Sequence, residues 1–300
     1  MKNQMKLLIV TKQSKLEYES VKFSLSQAEI IRKYKLEHAN IDAIVTSHNY
    51  QLESRRKIRS LFPQGEMKSM CDLKEPITGY DLVMSFGGDN SFTYTSHFVT
   101  DCPIIGINSD PLRSTGALCQ WSAKNLEEAA SALIEEKYTV EEWTRLTGTI
   151  NNEKIMFATS EYFFGERGRK EMTRHVLVYH GKEYDQKCSG IIIATGAGST
   201  GWYHSANMHV FPQGNIFSKT EKKAAFIITE PYRYARREDD VFAGELFPGE
   251  EIVLHSLSDS EGYASSDSWE EYPFTRGKTA RIGIDPLPLR VVVPLLSVQK

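Results

Sequence analysis

A chain of 300 residues that is 40% apolar and 25% charged has the balance of a globular protein, with room for one large domain or two ordinary ones. Its 36 basic and 39 acidic residues leave a net charge of -3, which gives no general case for binding nucleic acid or a membrane surface. The four cysteines, Cys71, Cys102, Cys119 and Cys188, show no C-x-x-C spacing and point to a reducing compartment without a structural zinc.

The amino terminus runs almost at once into a strand, Lys6-Leu7-Leu8-Ile9-Val10, leaving no room for a cleavable presequence. No apolar run approaches the ~18 residues that a membrane span needs, so a cytoplasmic protein is expected. Lys15 to Glu37 is rich in helix formers and places Phe23, Ile30, Ile31 and Tyr34 near helical spacing, which predicts one crossover helix. A second short apolar run, Ile41 to Val45, precedes a charged helical stretch, Gln51 to Leu61, that ends before Pro63. An apolar strand centred on Leu82 to Met84 follows, then a glycine turn, a helix, and the strand Pro103-Ile104-Ile105-Gly106-Ile107. Strands that are apolar throughout and alternate with helices predict a parallel sheet covered on both faces. Asn125 and Glu128 have capping-box spacing for a helix to Lys137, with Leu126, Ala129, Ala130 and Leu133 as its buried stripe.

Beyond Tyr138 short strand-like runs are separated by turn residues: Val140 to Ile150, Lys154 to Phe164, Thr173 to Tyr179, Gly190 to Thr195, Ala225 to Thr229, Glu251 to His255 and Thr279 to Ile284. The sequence therefore predicts an α/β domain with a parallel sheet over residues 1–138. A mostly antiparallel β domain is predicted over 139–300, whose last residues have the option of returning to the first. The eight histidines form no metal spacing; His175 and His180, five apart in a predicted strand, would face opposite sides of a sheet. The clusters Arg55-Arg56-Lys57-Arg59 and Arg167-Arg169-Lys170-Arg174 read as solvated faces, the second with the option of meeting a phosphate.

Two stretches carry the chemistry. In Tyr80 to Phe92, YDLVMSFGGDNSF, an apolar strand breaks at Gly87-Gly88, presents Asp89, and passes through Asn90-Ser91 into a helix. Ligands of open α/β sheets bind just beyond the carboxyl end of such a strand, where glycines admit a phosphate and a helix start offers N–H groups. A carboxylate beside polyanions is repelled, so Asp89 suits holding Mg²⁺ or taking a proton from an attacking hydroxyl. The plain alternative is an Asx-type turn. In Ser189 to Ala206, SGIIIATGAGSTGWYHSA, Gly196, Gly198 and Gly201 satisfy G-x-G-x-x-G after an apolar run. A dinucleotide fingerprint would open a βαβ unit, whereas this stretch lies in the β-rich half; the hydroxyls of Ser199, Thr200 and Ser205 suit phosphates or ribose. Gly277-Lys278-Thr279 is no Walker A loop, because Tyr272 stands where the earlier glycine belongs.

Taken in order, these residues resemble the NAD kinase family. Gly87-Gly88-Asp89-Asn90 resembles its GGDG loop, and Gly106 to Pro111 with Arg113-Ser114-Thr115-Gly116 resembles the strand and turn that follow. Ser160-Glu161 resembles its Asn-Glu pair and Thr195 to Trp202 its TPTGSTAY loop, while Glu230-Pro231 and Ser266-Asp267 resemble later Glu-Pro and Asp-Gly elements. The wording of residues 108–119 and of the Ser189-Gly190 entrance is most similar to the plant NADH kinase and mitochondrial NAD kinase branch.

The resemblance implies an amino-terminal α/β domain, a carboxy-terminal β-sandwich and an active site between them. It implies transfer of the ATP γ-phosphoryl group, with Mg²⁺ bound to the ATP, to the 2′-hydroxyl of the adenosine ribose of NAD or NADH. Asp89 is then the base, Gly87, Gly88, Asn90 and Ser91 form the phosphate loop, and Asn108 is a substrate- or phosphate-facing residue. Ser160, Glu161, Ser189, Gly198, Ser199, Thr200, Gly201, Trp202 and Ser205 bind the dinucleotide, Glu161 through a ribose hydroxyl. A homodimer or homotetramer is implied, without nucleic-acid or membrane partners.

Four positions depart from the family pattern. Asn90 replaces the last glycine of GGDG, and asparagine is the non-glycine residue that best tolerates a left-handed backbone. Ser160 replaces an asparagine, Ser189 stands where many members have aspartate, and Trp202 replaces tyrosine, keeping a stacking face without the hydroxyl. Two other readings remain open: a kinase of another hydroxyl, since lipid kinases also carry a GGDG-type loop, and a non-catalytic NAD(H)-binding regulatory protein. A Rossmann dehydrogenase ranks last.

Overall fold

The computed structural model describes residues 5–207, 216–232 and 240–295. The chain forms two compact units, Met1–Glu141 with Arg290–Lys300, and Glu142–Leu289.

The first unit begins with β1 (Leu7–Thr11), α1 (Lys15–Phe23), α2 (Gln27–Leu36), α3 (Ile41–Leu61) and β2 (Glu66–Ser69). It continues with β3 (Leu82–Gly87), α4 (Asp89–Ser96), β4 (Ile104–Asn108), β5 (Trp121–Ser122), α5 (Leu126–Ile134) and β6 (Tyr138–Trp143). β1, β3 and β4 pair in parallel and are buried at every position, as their unbroken apolar sequences require of strands covered on both faces. One face packs Ile58 and Phe62 together with Leu126, Ala129, Ala130 and Leu133 against Ile9, Met84, Phe86 and Ile107. On the other, Phe92 of α4 rests against Gly106, where a Cβ would lie 2.9 Å from its ring.

The second unit runs through β7 (Leu146–Ile150), β8 (Glu153–Ala158), β9 (Glu161–Glu166), β10 (Thr173–Tyr179), β11 (Lys182–Cys188), β12 (Gly190–Ala194) and the short helix α6 (Trp202–Asn207). Then come β13 (Ala224–Thr229), β14 (Ala243–Leu246), β15 (Glu251–Ser256), β16 (Gly262–Ser266), β17 (Glu270–Pro273) and β18 (Thr279–Ile284). Two six-stranded antiparallel sheets, in the orders β11-β10-β15-β18-β7-β8 and β14-β13-β12-β9-β16-β17, share a core that includes Tyr162, Phe164, Ile191, Ile193, Leu254 and Ile282. The outer face of β9, β12 and β13 is covered too, by Tyr203 of α6 and Phe217 over Phe163, Ile192 and Ile227, which explains why β12 is apolar at successive positions. The final strand, β19 (Leu289–Pro294), pairs in parallel with β4 and completes the sheet β2-β1-β3-β4-β19-β6 of the first unit, with β5 beside β4.

The expected fold class is the one the chain adopts; several elements differ in detail. Lys15 to Glu37 is two helices, because Ser24 turns left-handed at φ 54° and Ser26 starts a new helix with a Glu29 capping box. Ile41 to Leu61 is a single helix of 21 residues, and the neighbour of β1 is instead the polar edge strand β2, which has no apolar run to announce it. Asn125 does not cap α5 with its side chain; it accepts from the Ser122 amide and hydroxyl and donates to Glu128. Val140 to Ile150 and Lys154 to Phe164 each divide into two strands of different sheets. His175 is buried in β10, whereas His180 sits in the turn after it at φ 48°, outside any strand. No helix among the described residues is long and apolar enough to cross a membrane.

The contact of Gly106 is also hemmed by backbone, since its Cβ would lie 3.1 Å from the Leu118 carbonyl oxygen and from the Cα of Cys119. Gly106→Ala should therefore cost about 1–3 kcal/mol, read as a lower urea midpoint at unchanged slope. An unchanged midpoint would show that Phe92 yields without strain.

Candidate functional site

The GGDN loop is built by the lack of room. A Cβ on Gly87 would overlap the Ser91 side chain, and one on Gly88 would lie 3.0 Å from the Ser114 hydroxyl. Gly88 is the N-cap of α4 and Asp89 its first residue, half-buried. The Asp89 carboxylate accepts from the backbone N–H of Ala117 at 3.0 Å and of Leu118 at 2.8 Å, which fixes its orientation and leaves acceptor sites on both oxygens. Asn90 is exposed and helical rather than left-handed, so no glycine is required there.

Asn108 and Ser91 lie beneath this surface, both buried. Asn108 donates to the Ser114 carbonyl at 2.8 Å and accepts from the Asp110 N–H at 3.0 Å, and Gly116, at φ 64°, packs directly on its amide. Its place is that of a clamp on the 109–116 turn. Lys12, which follows β1, runs its stem past Gly87: a Cβ there would lie 3.5 Å from the Lys12 Cδ. Burial lowers the Lys12 pKa, and the negative charge of Asp110 and then of Cys119 works against that. A cation at a strand end beside the loop carried no motif, and sequence reading missed it.

In the second unit Ser160 precedes β9 and Glu161 opens it, and their backbone is held by one carboxylate. Asp267, in a left-handed turn at φ 48°, accepts from the N–H groups of Thr159 at 2.8 Å, Ser160 at 2.7 Å and Glu161 at 3.0 Å. The glycine-rich stretch leans on the same segment. Thr195 donates its N–H to the Ser160 carbonyl at 2.9 Å and its hydroxyl to the Thr159 carbonyl at 2.6 Å. A Cβ on Gly198 would overlap the Ser160 carbonyl and sit 2.9 Å from a Glu161 carboxylate oxygen. Burial, with the negative charge of Asp267, pushes Glu161 up to about 8. Because β12 is antiparallel to both β9 and β13, the Gly196-Gly198-Gly201 pattern has no βαβ context.

The residues of this stretch divide by exposure. Ser199 is fully buried and donates to the Gly196 carbonyl, so it shapes the loop from within. Thr200, Gly201, Trp202 and Ser205 are exposed. Trp202 packs on Phe163 with ring centroids 4.7 Å apart, and Tyr263 lies 5.6 Å from Phe163. These aromatics wall a pocket of about 490 Å³ whose polar rim includes Glu166, Arg169, Ser189 and Glu230. The Ser189 hydroxyl donates to Glu230, which Arg169 also grips through two nitrogens at 2.5 and 2.7 Å; the Arg169 and then the Ser189 hydrogen bonds hold Glu230 down at about 2. Position 189 thus has a carboxylate beside it, brought by Glu230. Glu166 was not read as a site residue from sequence, because a strand glutamate has no pattern, and Arg169 was read only within a basic cluster with the option of meeting a phosphate; for Asp267 the signal was its likeness to an Asp-Gly turn.

No protein-family model matches the chain. A probable NADH kinase of Oryza sativa subsp. japonica is 24% identical over 253 residues, 74% of each chain. An NAD kinase of Chlorobium phaeobacteroides is 33% identical over 148 residues, 47% of this chain and half of that protein's length. The crystal structure of an NAD kinase from Archaeoglobus fulgidus in complex with ATP superimposes with a TM-score of 0.64 at 19% identity, covering 96% of this chain and 93% of that one. These findings bear out the resemblance to the NAD kinase family. The shared fold covers both units.

The elevated Glu161 has a consequence for stability. The folded state keeps a proton that the unfolded chain releases near the ordinary carboxyl value, so its contribution is full below that value and is lost as pH rises to about 8. Glu161→Gln should therefore melt higher than the parent at pH 9, with the gap closing toward pH 5, in parallel thermal melts. A pH-independent gap would mean that Glu161 ionises normally.

Proposed function

We propose that the chain transfers the γ-phosphoryl group of ATP to the 2′-hydroxyl of the adenosine ribose of NAD(H), giving NADP(H). The observation that carries this is Asp89: a carboxylate at the first turn of α4, just past the end of β3, aimed by two backbone N–H groups and with acceptor sites to spare. Phosphoryl transfer depends on positioning and charge neutralisation more than on covalent chemistry, and a fixed base with a clear lone pair meets that need. Asp89 accepts the 2′-hydroxyl proton as the ribose oxygen bonds to the γ-phosphorus and the bond to the ADP oxygen breaks.

Gly87, Gly88 and Asn90 form the phosphate-facing turn, with Ser91 and Asn108 supporting it, and Lys12 offsets the negative charge. Mg²⁺ would enter bound to ATP and neutralise the phosphates, with no residue assigned as its fixed ligand. In the second unit Glu161 meets a ribose hydroxyl, Ser160 and Gly198 keep it in place, and Thr200, Gly201, Trp202 and Ser205 line adenine and ribose. Ser199 and Ser189 support that surface. A homodimer or homotetramer in the cytoplasm belongs to the same reading.

With purified protein, ATP, Mg²⁺ and either NAD or NADH, formation of NADP(H) is expected, and Asp89→Asn should lower kcat by about 10²–10⁴-fold. Lys12→Ala should lower kcat/KM by roughly 10–100-fold without loss of fold, as measured by the same assay and a thermal melt. Binding of dinucleotide without any turnover would overturn the kinase reading in favour of a regulatory NAD(H)-binding protein.

A further inference from the structure

Next to the GGDN loop, a buried carboxylate of the first unit is anchored through one oxygen only. Asp110 follows β4 and Ser109, is 4% exposed, and accepts on Oδ2 from the Ser47 hydroxyl and from the Gln51 side-chain amide at 3.3 Å. Gln51 also donates to Ser47 at 3.0 Å, so two residues one turn apart on α3 hold this oxygen together. Its Oδ1 has no hydrogen-bond partner among the described residues. The preceding residue, Ser109, gives its N–H to the Gly87 carbonyl at 2.8 Å, which ties the carboxylate to the first glycine of the loop. A carboxylate buried this far with only neutral donors is costly unless a cation lies near.

That cation is Lys12. Its backbone N–H donates to the Phe86 carbonyl at 3.4 Å, and its stem passes Gly87. Burial favours the neutral amine and lowers the Lys12 pKa, and the negative charge of Asp110, then of Cys119, opposes this. From α3, Tyr50 also lies in the field of Asp110, with Lys57 and Glu53 of the same helix acting on it. Asp110 is thus the carboxylate that acts on Lys12. A lysine that gives up its proton in a half-buried place has no charge to offer a phosphate, so the carboxylate decides what the loop presents.

We propose that Asp110 is a positioning residue of the phosphate loop: anchored to α3 through Ser47 and Gln51, it supplies the fixed negative charge that keeps the Lys12 ammonium beside Gly87 for an incoming polyphosphate. The proposal rests on the phosphoryl-transfer reading given above and names the residue that holds its cation. Asp110 also repels phosphates at longer range, so removing its charge has two opposite effects, and pH separates them.

Calorimetric titration with ATP and Mg²⁺, without dinucleotide, reads the cation in the absence of turnover. Affinity of the parent should fall at alkaline pH as Lys12 loses its proton. In Asp110→Asn the fall should begin at lower pH, leaving binding at pH 9 about tenfold weaker than in the parent, with the gap closing or reversing toward pH 7. Asp110→Ser removes the same charge with less bulk and should behave alike, so the test stands whichever of the two folds. A Cys119→Ser background takes away the thiol that titrates in the same range. Lys12→Arg carries a cation that keeps its proton throughout, so adding Asp110→Asn to it should cost nothing at pH 9; a purely structural role for Asp110 would leave the loss in place. A loss in Asp110→Asn that is equal at pH 7 and pH 9, or no loss at either, would overturn the proposal even if NADP(H) is formed. The predicted pH pattern in ATP binding with no NADP(H) formed would uphold it while removing the kinase reading, and a parent that binds no ATP would overturn both.

Discussion

A carboxylate placed at a strand end can collect backbone N–H groups, and in doing so it fixes two chain segments at once. Both units of this protein depend on that arrangement. Asp267 gathers three successive amides of 159–161 into one turn, and Asp89 gathers the amides of Ala117 and Leu118 against the start of α4. Charge-assisted bonds of this type are stronger than neutral ones, and removing such an acceptor leaves several buried donors unmet. The glycines follow from the same geometry: once the amides are drawn in, Gly87 and Gly198 have side-chain or backbone atoms where a Cβ would be. The loops are therefore stiff where their glycine content alone suggests flexibility.

The apolar strands were legible because burial on both faces leaves a plain trace, as in Ile191-Ile192-Ile193 or Leu7 to Val10, which are buried throughout. The candidate site was legible where a rule of chain geometry forces residue type, which is why Gly87-Gly88-Asp89 and Thr195 to Gly201 stood out. What escaped detection depends on partners distant in sequence. Glu66 to Ser69 forms a strand only because β1 offers it an edge, and nothing in EMKS says so. The helix from Ile41 buries His48, Gln51, Ser54 and Ile58, a mostly polar set that does not mark a helix face, while its run Ile41 to Val45 taken alone looks strand-like. Glu166 differs from any surface glutamate only through the walls that other strands build around it.

The family pattern is altered at Asn90, Ser160 and Ser189, and the structure shows why each change is tolerated physically. Asn90 is in the helix, where asparagine is an ordinary if modest residue, so the turn before it carries the special geometry on Gly87 and Gly88. Ser160 holds the glycine-rich loop through its main chain, giving its N–H to Asp267 and its carbonyl to Thr195, and neither bond depends on the side chain. Ser189 is too short to present a charge itself but binds Glu230, whose own charge is secured by Arg169, so a carboxylate returns to that spot from another strand end. Where the backbone does the holding, side-chain identity is free to change; at Asp89 and Asp267 the carboxylate itself collects the amides, and there it is not.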